Sequence, residues 1–246
     1  MAFQFIAASG EARLPDLAVP GRPLATMSYS LDRPFPAPRA GLRGGCMVLG
    51  GKVNAARAAE TAAECRRRGI TTVILGFSPC PGLELLRFCE VLRRRGVRPV
   101  VSEQSWQEGC GAAMLISTAI SGGTLEQRLR EAKARSGEIW LDLERTRRLF
   151  PLPCPDGAGL PLSGDDLERL LGGGDTPFFS EALQCRIAVL RDPVRFLLFD
   201  DADTLLRKTA LAQELGIGRG LLLVPEEWSP EELREAERAD KIPAAN

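Results

Sequence analysis

The chain has 246 residues, 32 Lys plus Arg against 32 Asp plus Glu, and no histidine. The zero net charge argues against a phosphate-tracking nucleic-acid binder, which needs a cationic excess. The missing imidazole excludes every Ser-His-Asp or Cys-His mechanism and every His-ligated zinc site.

Residues 1–44 read as the least regular part, with Pro at 15, 20, 23, 34, 36 and 38. Within them Leu24–Leu31 (LATMSYSL) is a candidate strand and Pro34–Pro38 an extended linker. The start, MAFQFIAASGEARLPDL, lacks a basic n-region and meets Glu11, Arg13 and Asp16 soon after its apolar run, so it makes a poor signal peptide. No apolar stretch approaches the ~20 residues of a membrane span. These features point to a cytoplasmic protein with no membrane association.

From Gly45 a regular alternation begins. Cys46–Leu49 (CMVL) is a strand, and Asn54 caps an Ala-rich helix that runs to Arg68. Thr71–Phe77 (TTVILGF) is a β-branched buried strand, followed by a Pro-Gly turn and the helix Leu83–Arg95. That helix sets Leu85, Phe88, Cys89 and Leu92 against a charged face of Glu84, Arg87, Glu90 and Arg94. The triplets Arg66-Arg67-Arg68 and Arg93-Arg94-Arg95 each precede a glycine, which is the pattern of helix ends rather than of nucleic-acid patches. Val97–Val101 is the third strand. Ala113–Thr118 (AMLIST) is the fourth, with the helix Thr124–Arg135 behind it, and Ile139–Leu143 is the fifth.

Between Glu144 and Phe196 the rhythm breaks into loop formers and a short helix, Asp165–Leu171. Phe178–Leu190, an Asp192-Pro193 turn and Arg195–Phe199 then read as an antiparallel hairpin, near 178–199, inserted at a barrel mouth. Phe196–Phe199 with the helix Asp203–Leu215, and Leu221–Val224 with the helix Pro230–Ala239, close the chain.

Short apolar strands alternating with amphipathic helices mean parallel strands and right-handed crossovers. Seven such strands, or eight with Leu24–Leu31, fit an α/β fold: a TIM-like (β/α) barrel over 45–228, degenerate or incomplete. A C-terminal helix and tail follow over 229–246. Two central units are shortened or missing between Ser102 and Ala113. A doubly wound open sheet is the alternative, although no strand leads into a full G-x-G-x-x-G. An open barrel exposes strand edges, which the Pro-rich N-terminal segment or a second copy in a homo-oligomer would cover.

The seven cysteines, at 46, 65, 80, 89, 110, 154 and 185, form no CxxC pair. They read mostly as small buried hydrophobes kept reduced, not as a disulfide framework or zinc knuckle. No cofactor is expected.

Functional groups of a barrel sit at the carboxyl ends of its strands. Those ends give Glu103, then Thr118 and Ser121, then Asp142 and Glu144, then Asp200, Asp201 and Asp203, then Glu226, Glu227 and Trp228. Asp142 and Glu144, two apart in WLDLER, share a face, and such a pair raises the pKa of one member toward that of a general acid. The structural alternative is that Arg145, Arg147 and Arg148 neutralise them. Asp200-Asp201-Ala202-Asp203 suits a hard cation, but capping of the following helix is the better reading. Ser117-Thr118-Ala119-Ile120-Ser121-Gly122-Gly123 before the helix at Thr124 is either an anion-binding turn or a plain Gly-rich cap. Gly50-Gly51-Lys52 lacks the spacing of a phosphate-binding loop.

The stretch RFLLFDDADTLLRKTALAQELGIGRGLLLVPEEW, residues 195–228, resembles the end of the barrel in glycoside hydrolase family 18, the chitinase-like and spore-type N-acetylglucosaminidases. The matching features are Phe199-Asp200-Asp201, Lys208, Leu215-Gly216 and Trp228, with FFSEALQCRIAVL as the preceding hairpin. The resemblance covers the C-terminal third. It implies a barrel that handles N-acetylglucosamine-containing glycans with carboxylates alone. The signature D-x-x-D-x-D-x-E, which that family carries on its fourth barrel strand, is absent. Gly137-x-x-Trp140-x-Asp142-x-Glu144 keeps only its last two acids.

The expectation is therefore a non-catalytic barrel that binds a carbohydrate or other ligand, or serves as an interaction module. Its ligand-binding residues would be Glu103, Thr118, Ser121, Gly122, Asp200, Asp201, Glu226 and Trp228. If the protein hydrolyses glycans, Glu144 is the acid and Asp142 its helper. A cytosolic enzyme for an anionic small molecule at Ser121-Gly122-Gly123 is the third reading.

Overall fold

The computed structural model describes residues 2–10, 12–36, 44–76, 82–154, 157–172, 176–191 and 193–239. The first half supplies β1 (Gln4–Ser9), the single turn α1 (Leu14–Leu17), β2 (Leu24–Ser30), β3 (Cys46–Gly50), α2 (Ala58–Arg68), β4 (Thr72–Leu75), α3 (Leu83–Arg94) and β5 (Arg98–Ser102). Next come β6 (Ala113–Ser117), α4 (Leu125–Arg135) and β7 (Ile139–Asp142), then an insertion of β8 (Arg147–Pro151), β9 (Leu160–Pro161), α5 (Gly164–Leu171), β10 (Phe178–Ser180), β11 (Cys185–Arg191) and β12 (Val194–Phe199). The chain ends with α6 (Ala202–Glu214), β13 (Arg219–Leu223) and α7 (Pro230–Ala239).

Strands β1 to β7 and β13 form a closed barrel, all pairs parallel, with β13 between β7 and β1. Their apolar runs have two buried faces, as a parallel sheet requires. Alternate residues (Ile6, Ala8, Val48, Ile74, Val100, Leu115, Trp140 and Leu221) fill the interior. The opposite faces pack outward: Met114, Ile116 and Leu141 meet Leu125 and Leu129 of α4, while Val73 and Leu75 meet Leu85, Phe88 and Leu92 of α3. The helix boundaries follow their capping residues. Thr124 accepts a hydrogen bond from the Gln127 amide and Gly69 takes the left-handed conformation (φ 68°) after the Arg66–Arg68 turn, whereas Asn54, expected to cap α2, accepts from the Ala56 amide and caps a 3-10 turn, Ala55–Arg57, that precedes it.

Three expectations are corrected. Residues 1–44 are not an irregular preface, because they contribute β1 and β2, two of the barrel strands. Arg195–Phe199 is not a barrel strand: as part of β12 it pairs antiparallel with β11 and β8 in a separate five-stranded sheet, order β10-β11-β12-β8-β9. No strand unit is missing between Ser102 and Ala113, since β5 pairs directly with β6. What that interval lacks is a helix. Its place is filled by turns and by Trp106, which packs against two core clusters and donates its indole N–H to the Ala112 carbonyl at 3.0 Å. The strand barrel is complete and the helical ring around it is reduced.

The expected hairpin over 178–199 is present as β10, β11 and β12. One face of the insertion buries Leu149, Ala188, Leu190 and Leu197 under Leu167 of α5. Parts of the expected Pro-rich linker, Phe77 at the end of the strand Thr71–Phe77, Pro81 of the Pro-Gly turn, Cys80, Asp192 and the tail from 240 lie outside the described residues. The other six cysteines are in no disulfide, and all but the half-buried Cys154 are buried.

Candidate functional site at the carboxyl mouth of the barrel

On β7 the side chains alternate, so Asp142 follows Trp140 to the interior side of the barrel. In register it faces Ser117 at the end of β6 and Leu221 of β13. Glu144 stands just beyond the strand, 35% exposed. It accepts a hydrogen bond from the Ser117 hydroxyl at 3.0 Å, and the Arg148 guanidinium lies 3.7 Å away. The third carboxylate is Glu227, from the turn after β13, which accepts the Arg145 amide N–H at 3.0 Å.

The structural alternative holds in part: Arg148 pairs with Glu144, while the side chains of Arg145 and Arg147 turn away from Asp142 and Glu144. Arg145 donates to the Glu227 and Asp200 carbonyls at 3.1 and 3.2 Å, pairs with Glu232 at 3.1 Å, and lies 4.8 Å over the Trp228 ring. Arg147 donates to the Glu227 carbonyl at 3.1 Å. Both arginines tie the β7–β8 corner to the turn after β13. Among the described residues no cation pairs with Asp142. Burial, then the charges of Glu144 and Glu227, lift its carboxyl from 3.8 to about 7. Burial also raises Glu227, against the opposing Arg145 amide. Near neutral pH the mouth therefore holds a carboxyl that is partly protonated, able to donate a hydrogen bond, beside the acceptor Glu144.

The other expected site residues divide. Thr118 is buried and donates its hydroxyl to the Asp142 carbonyl at 3.2 Å, so it fixes the pair from behind. Glu103 is held by Arg128 and Arg135 of α4, at 2.6 and 3.6 Å. Glu226 is exposed and pairs with Arg13 at 3.3 Å.

Ser121 and Gly122 do not form an anion cradle. The Ser121 hydroxyl donates to the Gly157 carbonyl at 3.0 Å. The first amides of α4 already have acceptors in Thr124 and the Ala182 carbonyl. Gly122 has open space where a Cβ would stand.

Asp200, Asp201 and Trp228 are corrected from ligand-binding to structural residues. Asp200 is buried and accepts from Lys208 at 2.6 Å, the Thr146 amide at 2.7 Å and the Thr204 hydroxyl at 2.9 Å. Asp201 caps α6 in a reciprocal capping box with Thr204 and holds Arg186 at 2.9 Å. Trp228 is 1% exposed, and its indole N–H donates to the Leu143 carbonyl at 2.7 Å. Among the described residues no group of His, Cys, Asp or Glu is arranged to hold a metal ion. No described helix is long and apolar enough to cross a membrane.

Sequence reasoning placed Ser117 in the anion-binding turn rather than beside Glu144, and did not select Glu227 over Glu226. Ser117 was visible as the last residue of AMLIS, but its place opposite Asp142 depends on the β6–β7 register.

No family model and no curated protein sequence matches the chain. Solved structures do match. The spore cortex-lytic enzyme SleL of Bacillus cereus is 14% identical with a TM-score of 0.66, over 95% of this chain and 73% of that one. A chitinase from Chromobacterium violaceum is 15% identical with a TM-score of 0.65, over 97% and 99% of the two chains. A family GH18 chitinase from Cycas revoluta is 13% identical with a TM-score of 0.62, over 96% and 99%.

The likeness is one of fold, and it runs through the whole barrel. This overturns the restriction of the resemblance to the C-terminal third. At 13–15% identity the likeness shows the fold alone.

Proposed function

We propose that the protein is a glycoside-hydrolase-shaped barrel that binds an N-acetylglucosamine-containing glycan at the mouth formed by Asp142, Glu144 and Ser117, without hydrolysing it. The observation that carries this reading is β4, the fourth barrel strand. It consists of Thr72–Leu75 (TVIL) and runs into Gly76, with no carboxylate. The resembled family carries the acids of its catalytic signature on that strand. Support for the ligand class comes from the fold neighbours, among them Cycas revoluta chitinase structures in complex with (GlcNAc)3 and (GlcNAc)4. A partly protonated carboxyl, a carboxylate and a hydroxyl on one rim offer both donors and acceptors to sugar hydroxyl and amide groups.

A second reading has an observation of its own. Asp142, lifted to about 7, beside the half-exposed Glu144 is the kind of unequal carboxylate pair that glycoside hydrolysis uses. One experiment separates the two. The protein is titrated with N-acetylglucosamine oligomers by calorimetry, and the same mixtures are analysed chromatographically for shorter products. The binding reading expects saturable heat that weakens in Glu144→Gln, with no product. Product that disappears in Glu144→Gln establishes the hydrolase instead, and the absence of any binding refutes both.

A further inference from the structure

The carbohydrate reading uses the carboxyl end of the barrel and leaves the opposite end without a role. There a cavity of about 670 Å³ opens, and a second of about 370 Å³ shares Arg98, Trp140 and Arg219 with it. Arg98 and Arg219 are the first residues of β5 and β13. Each stands two positions before an interior residue, Val100 or Leu221, so alternation aims both side chains toward the barrel axis.

Both guanidiniums converge on one atom. Glu138 Oε1 accepts from Arg98 at 3.1 Å, from Arg219 at 3.3 Å and from the Trp140 indole N–H at 3.0 Å. Two cations thus share a single carboxylate, leaving a net positive charge at the rim. A guanidinium has five N–H donors, and among the described residues neither Arg98 nor Arg219 has an acceptor other than Glu138. The neighbouring cations are already engaged: Arg22 holds Glu237 at 2.6 and 2.5 Å, and Lys133 donates to the Leu215 carbonyl. No anion comes from the cavity floor, where burial pushes the Cys46 thiol up to about 11 and keeps it neutral. Arg219 is further fixed by its position 5.3 Å over the Trp140 ring.

We propose that this amino-terminal mouth is a second binding site, for a small molecule bearing a phosphate or carboxylate group, which Arg98 and Arg219 grip with the donors that Glu138 leaves free. Planar forked donors suit such oxyanions. The competing account is a purely structural clasp, in which Glu138 does no more than pin β5, β7 and β13 together. The two accounts differ on Glu138 itself. In a binding site Glu138 competes with the ligand for the guanidiniums; in a clasp it is the whole purpose of the arrangement.

The test is calorimetric titration of the intact protein with inorganic phosphate, pyrophosphate and citrate, against sodium chloride at matched ionic strength. Pyrophosphate or phosphate binding without citrate identifies a phosphate site, and the reverse a carboxylate site; either supports the proposal. Expected are saturable binding of at least one probe and a loss of roughly tenfold or more in Arg98→Met and in Arg219→Met, the scale of a hydrogen bond to a charged group. Glu138→Gln is expected to bind more tightly, because the rival carboxylate is gone. Binding no better than chloride, unchanged affinity in both arginine variants, or unchanged or weaker binding in Glu138→Gln overturns the proposal. Should an arginine variant fail to fold, Glu138→Gln and the charge-retaining Arg219→Lys carry the same test. Glu144→Gln leaves this binding untouched, so its outcome is independent of the glycan reading.

Discussion

Replacing Asp142 with Asn removes the one group at the mouth that burial and two like charges hold protonated near neutrality. In the unfolded chain Asp142 loses its proton near pH 4, while in the folded chain it keeps it until about pH 7. Between those values the native state binds more protons than the unfolded state, so this group lowers stability as pH rises and levels off above about pH 8. The displacement from 3.8 to about 7 corresponds to about 4 kcal/mol across the window. Asn is close in shape to the protonated acid and cannot ionise, so the variant lacks this slope. At pH 4 the two proteins are expected to have nearly equal stability. Above pH 8 Asp142→Asn is expected to be the more stable by about 4 kcal/mol.

The assay is urea unfolding of both proteins at intervals from pH 4 to 8.5, reading the difference in midpoint at a shared slope. Carboxylates away from the mouth contribute equally to both chains and cancel in that difference. Adding Glu144→Gln to each protein narrows the gap, because Glu144 is the second cause of the shift. A difference that stays flat with pH, or a wild type that gains on the variant as pH rises, refutes the reasoning.

Lys208→Met leaves the Asp200 carboxylate buried without its cation. It is expected to cost about 3–5 kcal/mol in chemical unfolding, where a ligand-contacting Asp200 would change binding and spare stability. Asp201→Ala removes the α6 cap. It should lower stability by about 1 kcal/mol, with no calcium-dependent shift in melting temperature before or after the change.

The barrel rhythm is legible because its determinants are local. Thr124 and Gly69 mark helix ends to the residue, Asn54 marks the 3-10 turn that leads into α2, and the VIL and AMLI runs are apolar on both faces whatever their partners. Two elements resist that reading. The strand QFIAAS at the N-terminus has two alanines, a terminal serine and only one β-branched residue. Its strand conformation rests on pairing with β13 on one side and β2 on the other as the barrel closes. The segment RFLLF has the same apolar density as a barrel strand. What makes it part of the insertion is antiparallel pairing with β11 and β8, a long-range fact that composition does not contain. The two errors compensate, since one strand counted wrongly into the barrel offsets one left out. The strand number came near the right value for a partly wrong reason.

At the site, the legible part is the pair Asp142 and Glu144, because period two is a property of one strand. Which of the consecutive acids Glu226 and Glu227 turns inward is decided elsewhere. The Arg145 amide grips Glu227, and Trp228 is drawn under the Arg145 guanidinium, leaving Glu226 on the surface with Arg13. The same corner bears on the absence of histidine. Imidazole is the usual side chain that changes charge near neutral pH, and this chain has none. Burial of Asp142 beside Glu144 and Glu227, with Arg145 and Arg147 turned to backbone carbonyls and to Glu232, produces a carboxyl that titrates in that range instead. The proton-handling group is thus made by the arrangement of three ordinary acids. For that reason composition, which excluded imidazole chemistry, does not exclude a pH-dependent mouth.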